Sequence, residues 1–192
     1  MQPFKKIKSI ATPLDKVNVD TDQIVPKQFL KLIQRTGFGQ YLFYDWRYEK
    51  GGIPRKDFVL NDSAYQNSRI LLARDNFGCG SSREHAVWAL DDYGFRVIIS
   101  TSFADIFYNN CFKNGILPIR VPDDVLEKLF STKSEIEVDL ETQSIKADGM
   151  SISFPIEPHW KKILLEGLDD IAMTLLHEDQ IVKYERSHKD LI

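Results

Sequence analysis

Cysteine is scarce in these 192 residues, where Cys79 and Cys111 are the only two. Two thiols cannot supply the three or four thiolates of an iron-sulfur cluster or a structural zinc site, which excludes a cysteine-built metal centre within this chain. Long apolar runs are also missing. No stretch approaches the roughly 20 apolar residues of a membrane span, and Lys5, Lys6 and Lys8 are not followed by an apolar signal region. A cytoplasmic location is expected. There is no charge excess of either sign. The 25 basic and 28 acidic residues give −3, and the basic ones are scattered, so nothing marks the chain for nucleic acid or an anionic membrane. His159, His177 and His188 share no metal-ligand spacing and read as surface residues. Repeats and low-complexity tracts are absent.

The length suits one domain with elaborations. Its most informative stretch is Asn76-Phe77-Gly78-Cys79-Gly80-Ser81-Ser82-Arg83-Glu84-His85. It follows the apolar run Ile70-Leu71-Leu72-Ala73 and precedes Ala86, Ala89, Leu90 and Tyr93, which recur at helical spacing. The pattern reads as strand, glycine turn, helix start. Gly78 and Gly80 allow φ > 0 on either side of Cys79. Ser81, Ser82 and Arg83 are expected on the first helical turn, where free N–H groups and the helix dipole favour an anion. Two hydroxyls and a guanidinium there suit a carboxylate. Ser81-x-x-Glu84 also fits a capping box, although a cap needs neither Arg83 nor the glycines. A Cys79 nucleophile has little support, since only His85 lies near it in sequence. Cys111 follows Phe103, Ile106 and Phe107 on an apolar face and reads as core.

The surrounding chain alternates strand 70–73, helix 83–93, strand 96–101, helix 103–113 and strand 117–121, which predicts a parallel sheet with right-handed crossovers. Ligands of such sheets collect beyond the carboxyl ends of the strands, where the glycine-serine turn must lie. Upstream, a strand over 7–11 ends at Pro13. Asp20, Thr21 and Asp22 then form a polar turn able to meet a metal or substrate, or simply to bond its own backbone. A helix is expected from Pro26 through Ile33. Over 37–54, Phe38, Tyr41, Leu42, Phe43, Tyr44, Trp46 and Tyr48 crowd between glycines. This segment reads either as a satellite core or as a lid on a ligand or partner, with Arg35 and Arg47 reaching for negative charge and Leu42 and Phe43 for apolar groups. Downstream come a helix over 123–130, short alternating strands over 135–140, 144–147 and 150–154, and a helix from Pro158. A last helix over 168–184 would turn Ile171, Leu175, Ile181 and Val182 inward.

Phe77-Gly78-Cys79-Gly80-Ser81-Ser82-Arg83-Glu84-His85-Ala86 resembles the signature of the swivelling domain of the aconitase superfamily, and Asp20-Thr21-Asp22-Gln23-Ile24-Val25-Pro26 resembles its opening motif. With Thr36-Gly37-Phe38-Gly39 and Asp45-Trp46-Arg47, nearly the whole chain is similar to the bacterial small subunits of 3-isopropylmalate dehydratase, the isomerase of leucine biosynthesis. The resemblance implies an α/β fold, a swivelling β/β/α domain with a central, mainly parallel sheet and a small antiparallel addition. A single domain would span 1–192, with 37–54 as a flexible substrate or interface loop. It further implies no cofactor on this chain, a heterodimer with a large subunit that carries a four-iron four-sulfur cluster on three cysteines, and a small dicarboxylate substrate. Ser81 would be the base that removes and returns a carbon-bound proton. Ser82 would add a hydrogen bond and Arg83 would hold a substrate carboxylate. Thr21 and Asp22 match pocket residues, and Arg35 corresponds loosely to a further arginine. Aconitases carry Glu in place of Cys79, which counts against a thiol nucleophile. The alternatives are a small subunit acting on homoaconitate or 2-methylmalate, and a carboxylate-binding module without catalysis.

Overall fold

The computed structural model describes residues 1–31 and 36–188. Strands β1 (Lys6–Ser9) and β2 (Ala11–Leu14) follow one another yet belong to different sheets. The single strand expected over 7–11 is thus two strands, and Pro13 lies inside β2 and does not end it. A proline is tolerated there because β2 is an edge strand. The one-turn helices α1 (Thr21–Ile24) and α2 (Tyr44–Arg47) lie between β2 and β3 (Ile70–Ala73). The helix expected from Pro26 is a single 3-10 turn, Lys27–Phe29, among the described residues.

From β3 the chain alternates as the sequence predicts, through α3 (Glu84–Tyr93), β4 (Val97–Ser100), α4 (Asp105–Lys113) and β5 (Leu117–Arg120). The sheet order is β2-β3-β4-β5, every pair parallel. Leu71, Ala73 and Ile98 enter one core with α3 and α4, whereas Ile70, Leu72, Val97 and Ile99 enter a second core on the other face. Burial on both faces is why these strands read as unbroken apolar runs. The second core is closed by α5 (Asp123–Ser131), by α6 (Pro158–Glu166) and by β6 (Ile136–Asp139), β7 (Ser144–Ala147) and β8 (Met150–Ser153). These three strands join β1 in a separate antiparallel sheet, β1-β6-β7-β8. The layers therefore run sheet, sheet, helices.

The helix expected over 168–184 is α7 (Asp170–Leu175) and α8 (Glu178–Ser187). Ile171 and Leu175 are exposed there and not turned inward. The second core ends on Leu164 of α6, so neither side chain has a core to enter. No helix among the described residues is long and apolar enough to cross a membrane.

The aromatic segment does not hang free. Phe38, Leu42 and Phe43 are fully buried in the first core. The Asp92 carboxylate of α3 accepts hydrogen bonds from the Gly37 and Gly39 N–H groups at 3.0 and 2.8 Å. Gly39 lies so close to α3 that a Cβ there would meet the Tyr93 nitrogen at 2.8 Å. Arg47, expected to reach a ligand, points inward. Its guanidinium donates to the Gly39 and Leu42 carbonyls at 3.4 and 3.5 Å and lies 5.0 Å from the Tyr93 ring centre. Leu42 and Phe43 are likewise removed from any substrate, because apolar side chains of this size gain most when withdrawn from water.

Candidate active site

The loops leaving the carboxyl ends of β3 and β4 are tied together. The Phe77 N–H donates to the Ser102 carbonyl and the Ala104 N–H to the Phe77 carbonyl, each at 3.1 Å. Gly78 and Gly80 both have positive φ, +77° and +87°. The Phe107 ring of α4 lies against the turn, where a Cβ on Gly78 would fall 2.1 Å from its Cγ. Gly78→Ala is therefore expected to cost at least about 2 kcal/mol, from overpacking and backbone strain together. Gly80→Ala should cost less, its Cβ meeting the Asp20 Cβ at 3.3 Å and the Thr21 Oγ1 at 3.7 Å, an ordinary contact distance. Urea unfolding of both variants checks the order, and equal midpoints would refute it.

Ser81 does not sit on the first helical turn. α3 begins at Glu84, with Arg83 as an N-cap that makes no side-chain cap bond. The capping box read at Ser81 and Glu84 is not formed, because the helix starts at Glu84 itself with Arg83 as its N-cap, and the Glu84 carboxylate accepts from Asn114 Nδ2 at 2.9 Å. The box that does form is upstream, at the start of α1. The Gln23 N–H donates to Asp20 Oδ1 at 2.8 Å and the Asp20 N–H to Gln23 Oε1 at 3.0 Å. Ser81 and Ser82 are exposed, and among the described residues no hydrogen bond engages either hydroxyl.

α1 brings its own residues to this turn. The Thr21 N–H donates to the Cys79 carbonyl at 2.9 Å, and the Gly78 N–H donates to the Val19 carbonyl at 2.8 Å. Thr21 is buried, its hydroxyl donating to the Ser81 carbonyl at 2.8 Å. Asp22 is ion-paired with Arg83 and lies 3.3 Å from Lys27 Nζ. Five of the six expected site residues, Thr21, Asp22, Ser81, Ser82 and Arg83, thus come together. Arg35 lies outside the described residues.

A cavity of about 260 Å³ opens here, with Thr21, Ser81, Ser82 and Arg83 on one side and Ile106 and Phe107 of α4 on the other. The start of α4 also lines it, and its N-cap Ala104 makes no side-chain cap bond, so free N–H groups of this helix border the cavity. Sequence reasoning predicted this helix but did not bring its start to the site. The signal was the repeated strand-to-helix pattern, which delivers both helices to the same sheet edge. A larger hollow of about 300 Å³ beside Trp46 and Arg55 contains none of the six residues.

The Cys79 thiol is pushed up by partial burial and by the Asp20 charge, the reverse of what activates a nucleophile. Burial raises the Cys111 thiol well above its ordinary range. At pH 8 Cys79 should react with iodoacetamide more slowly than a free model thiol, and a faster reaction would reopen a nucleophilic role. His85 packs against the Phe38 and Trp88 rings, at centroid distances of 5.4 and 4.7 Å. Among the described residues no group of three or more His, Cys, Asp or Glu is placed to hold a metal ion.

The profile of the aconitase C-terminal domain family matches residues 1–124. The 3-isopropylmalate dehydratase small subunit of Bacillus subtilis (strain 168) is 55% identical over 190 residues, covering 96% of each chain. That of Brevibacillus brevis is 53% identical over 191 residues, 96% of this chain and 98% of its own. The chain belongs to the 3-isopropylmalate dehydratase small-subunit family. A crystal structure of a 3-isopropylmalate dehydratase from Methanocaldococcus jannaschii superimposes with a TM-score of 0.66 at 26% identity, over 94% of this chain and 99% of that one. The profile match takes in the parallel sheet and both loops of the cavity. Strands β6, β7 and β8 of this small subunit lie beyond it.

Proposed function

We propose that this chain is the small subunit of a 3-isopropylmalate dehydratase, a hydro-lyase that interconverts 2-isopropylmalate and 3-isopropylmalate by dehydration and rehydration in leucine biosynthesis. It works in the cytoplasm as a heterodimer with a large subunit. The observation that carries the catalytic reading is the Ser81 hydroxyl, exposed and structurally uncommitted among the described residues, beside Arg83 and two helix starts.

In this reading Ser81 takes a proton from the carbon next to the one that loses hydroxide, and returns a proton during rehydration. A serine hydroxyl is a weak base in water, so its alkoxide needs preorganised donors, which the uncapped N–H groups provide together with the guanidinium N–H groups of Arg83 beyond the one paired with Asp22. Arg83 and Ser82 hold a substrate carboxylate. A bidentate guanidinium contact is what a planar carboxylate prefers, and Arg83→Lys should raise KM about 10-fold or more while the protein stays folded. An unchanged KM would remove Arg83 from the binding site.

The residues present do not fit an iron-sulfur cluster, because two cysteines fall short of its thiolates. The cluster belongs to the large subunit. Purified anaerobically on its own, this chain should carry no stoichiometric cluster iron, and iron analysis together with the visible spectrum checks this. The substrate is tested by reconstitution with candidate large subunits, assayed on 3-isopropylmalate, homoaconitate and 2-methylmalate. Activity restored only on one of the latter two would overturn the choice.

A further inference from the structure

We propose that Thr21 is a positioning residue for Ser81, acting through the Ser81 backbone carbonyl without touching substrate. The inference rests on the reading of Ser81 as the proton-transferring group.

Ser81 lacks the support that a helix would give it, since α3 starts only at Glu84 and the Ser81-Glu84 box is not made. The turn is gripped from α1. Thr21 donates twice to it, by its N–H to the Cys79 carbonyl at 2.9 Å and by its hydroxyl to the Ser81 carbonyl at 2.8 Å. The two acceptors flank Gly80, whose φ of +87° turns the chain between them. One residue thus fixes both ends of the bend that presents the serine.

The grip is stiff for three reasons. Thr21 is 2% exposed, so water does not compete for its hydroxyl. As a β-branched side chain it has restricted χ1, which fixes the direction of the hydroxyl relative to the backbone N–H. The turn that carries it is closed by the reciprocal Asp20–Gln23 box, and Asp20 also bridges to Cys79 in parallel register. A misplacement of about 1 Å in a reacting group can cost about 100-fold in rate, so the bond matters through geometry.

The test uses the reconstituted heterodimer with Thr21→Val, Thr21→Ser and Ser81→Ala. Thr21→Val should lower kcat about 100-fold with KM within about 2-fold, because Ser82 and Arg83 still hold substrate. Thr21→Ser keeps the hydroxyl and should restore kcat to within about 5-fold of the parent. A raised KM with kcat unchanged would make Thr21 a substrate contact and overturn the proposal, as would failure of Thr21→Ser to rescue. Ser81→Ala separates this from the underlying reading. If Ser81→Ala remains active, the reading of Ser81 fails. If it is inactive while Thr21→Val turns over normally, only the positioning role fails. Should Thr21→Val not assemble, amide hydrogen exchange of the free full-length chain decides between Thr21→Ala and Thr21→Ser. The N–H of residue 21, which donates to the Cys79 carbonyl, and the Gly78 N–H, which donates to the Val19 carbonyl, should exchange faster in Thr21→Ala alone, with β3 and α3 unchanged, and equal rates would overturn the proposal.

Discussion

Ser81→Ala in the assembled heterodimer should lower kcat by about 10³-fold or more while the melting temperature of the small subunit stays within about a degree. Removing a general base typically costs between about 10² and 10⁴ in rate. The structural cost is small because the side chain is exposed and caps no helix, and substitutions of that kind usually change stability by less than about 0.5 kcal/mol. The alternative, in which Ser81 merely closes α3, predicts the opposite pair of results. It would give a lower melting temperature of the kind expected from losing a cap worth about 1 kcal/mol, with activity retained. Circular dichroism melts and steady-state kinetics on one preparation separate the two.

Leu42→Ala combined with Phe43→Ala should abolish or nearly abolish folding of the free chain, before any question of substrate choice arises. Both side chains are fully buried in the first core. Truncating a buried leucine costs about 2–5 kcal/mol and a buried phenylalanine about 3–5 kcal/mol, against a typical domain stability of about 5–15 kcal/mol. The two are neighbours, so their costs need not add. Phe43 carries a further demand, since it holds a left-handed backbone at φ +51°. Packing sustains it there, with Trp46 stacked at 5.5 Å and Phe58 edge-on at 6.1 Å, while its N–H donates to the Ile24 carbonyl at 2.8 Å. Denaturant unfolding reads the result. A double variant of normal stability but altered substrate preference would restore Leu42 and Phe43 to the substrate face.

How much could be read from the chain depended on whether a local pattern had one physical solution. Ile70-Leu71-Leu72-Ala73, Gly78 and Gly80, and the spacing of Ala86, Ala89, Leu90 and Tyr93 each had one, and together they placed the serine turn at the carboxyl edge of a parallel sheet. Ser81-x-x-Glu84 had two. The helix starts at Glu84 and not at Ser82, and the Glu84 carboxylate accepts from Asn114, 30 residues away in the chain. The aromatic crowd over 37–48 also had two, lid or core. It became core through Asp92 and Tyr93, partners that only the folded α3 brings near. Ile10 separates β1 from β2 with no turn signal of its own, and the sheet switch there depends on strands that arrive more than 50 residues later. That Thr21 and Asp22 lie at the serine turn was legible from the polar turn and a motif match, but not what they bond there. Their partners, the Ser81 carbonyl and Arg83, are about 60 residues away.

The most direct measurement is solvent exchange of the substrate's carbon-bound hydrogen, the one removed in dehydration, followed by NMR in D₂O with the reconstituted heterodimer. With the parent chain that position should take up deuterium during turnover, to the extent that the proton held on Ser81 exchanges with solvent before it is returned. With Ser81→Ala it should stay protiated over many parent half-times, although substrate still binds through Arg83. Exchange at the parent rate in Ser81→Ala would contradict the assignment of Ser81 as the base.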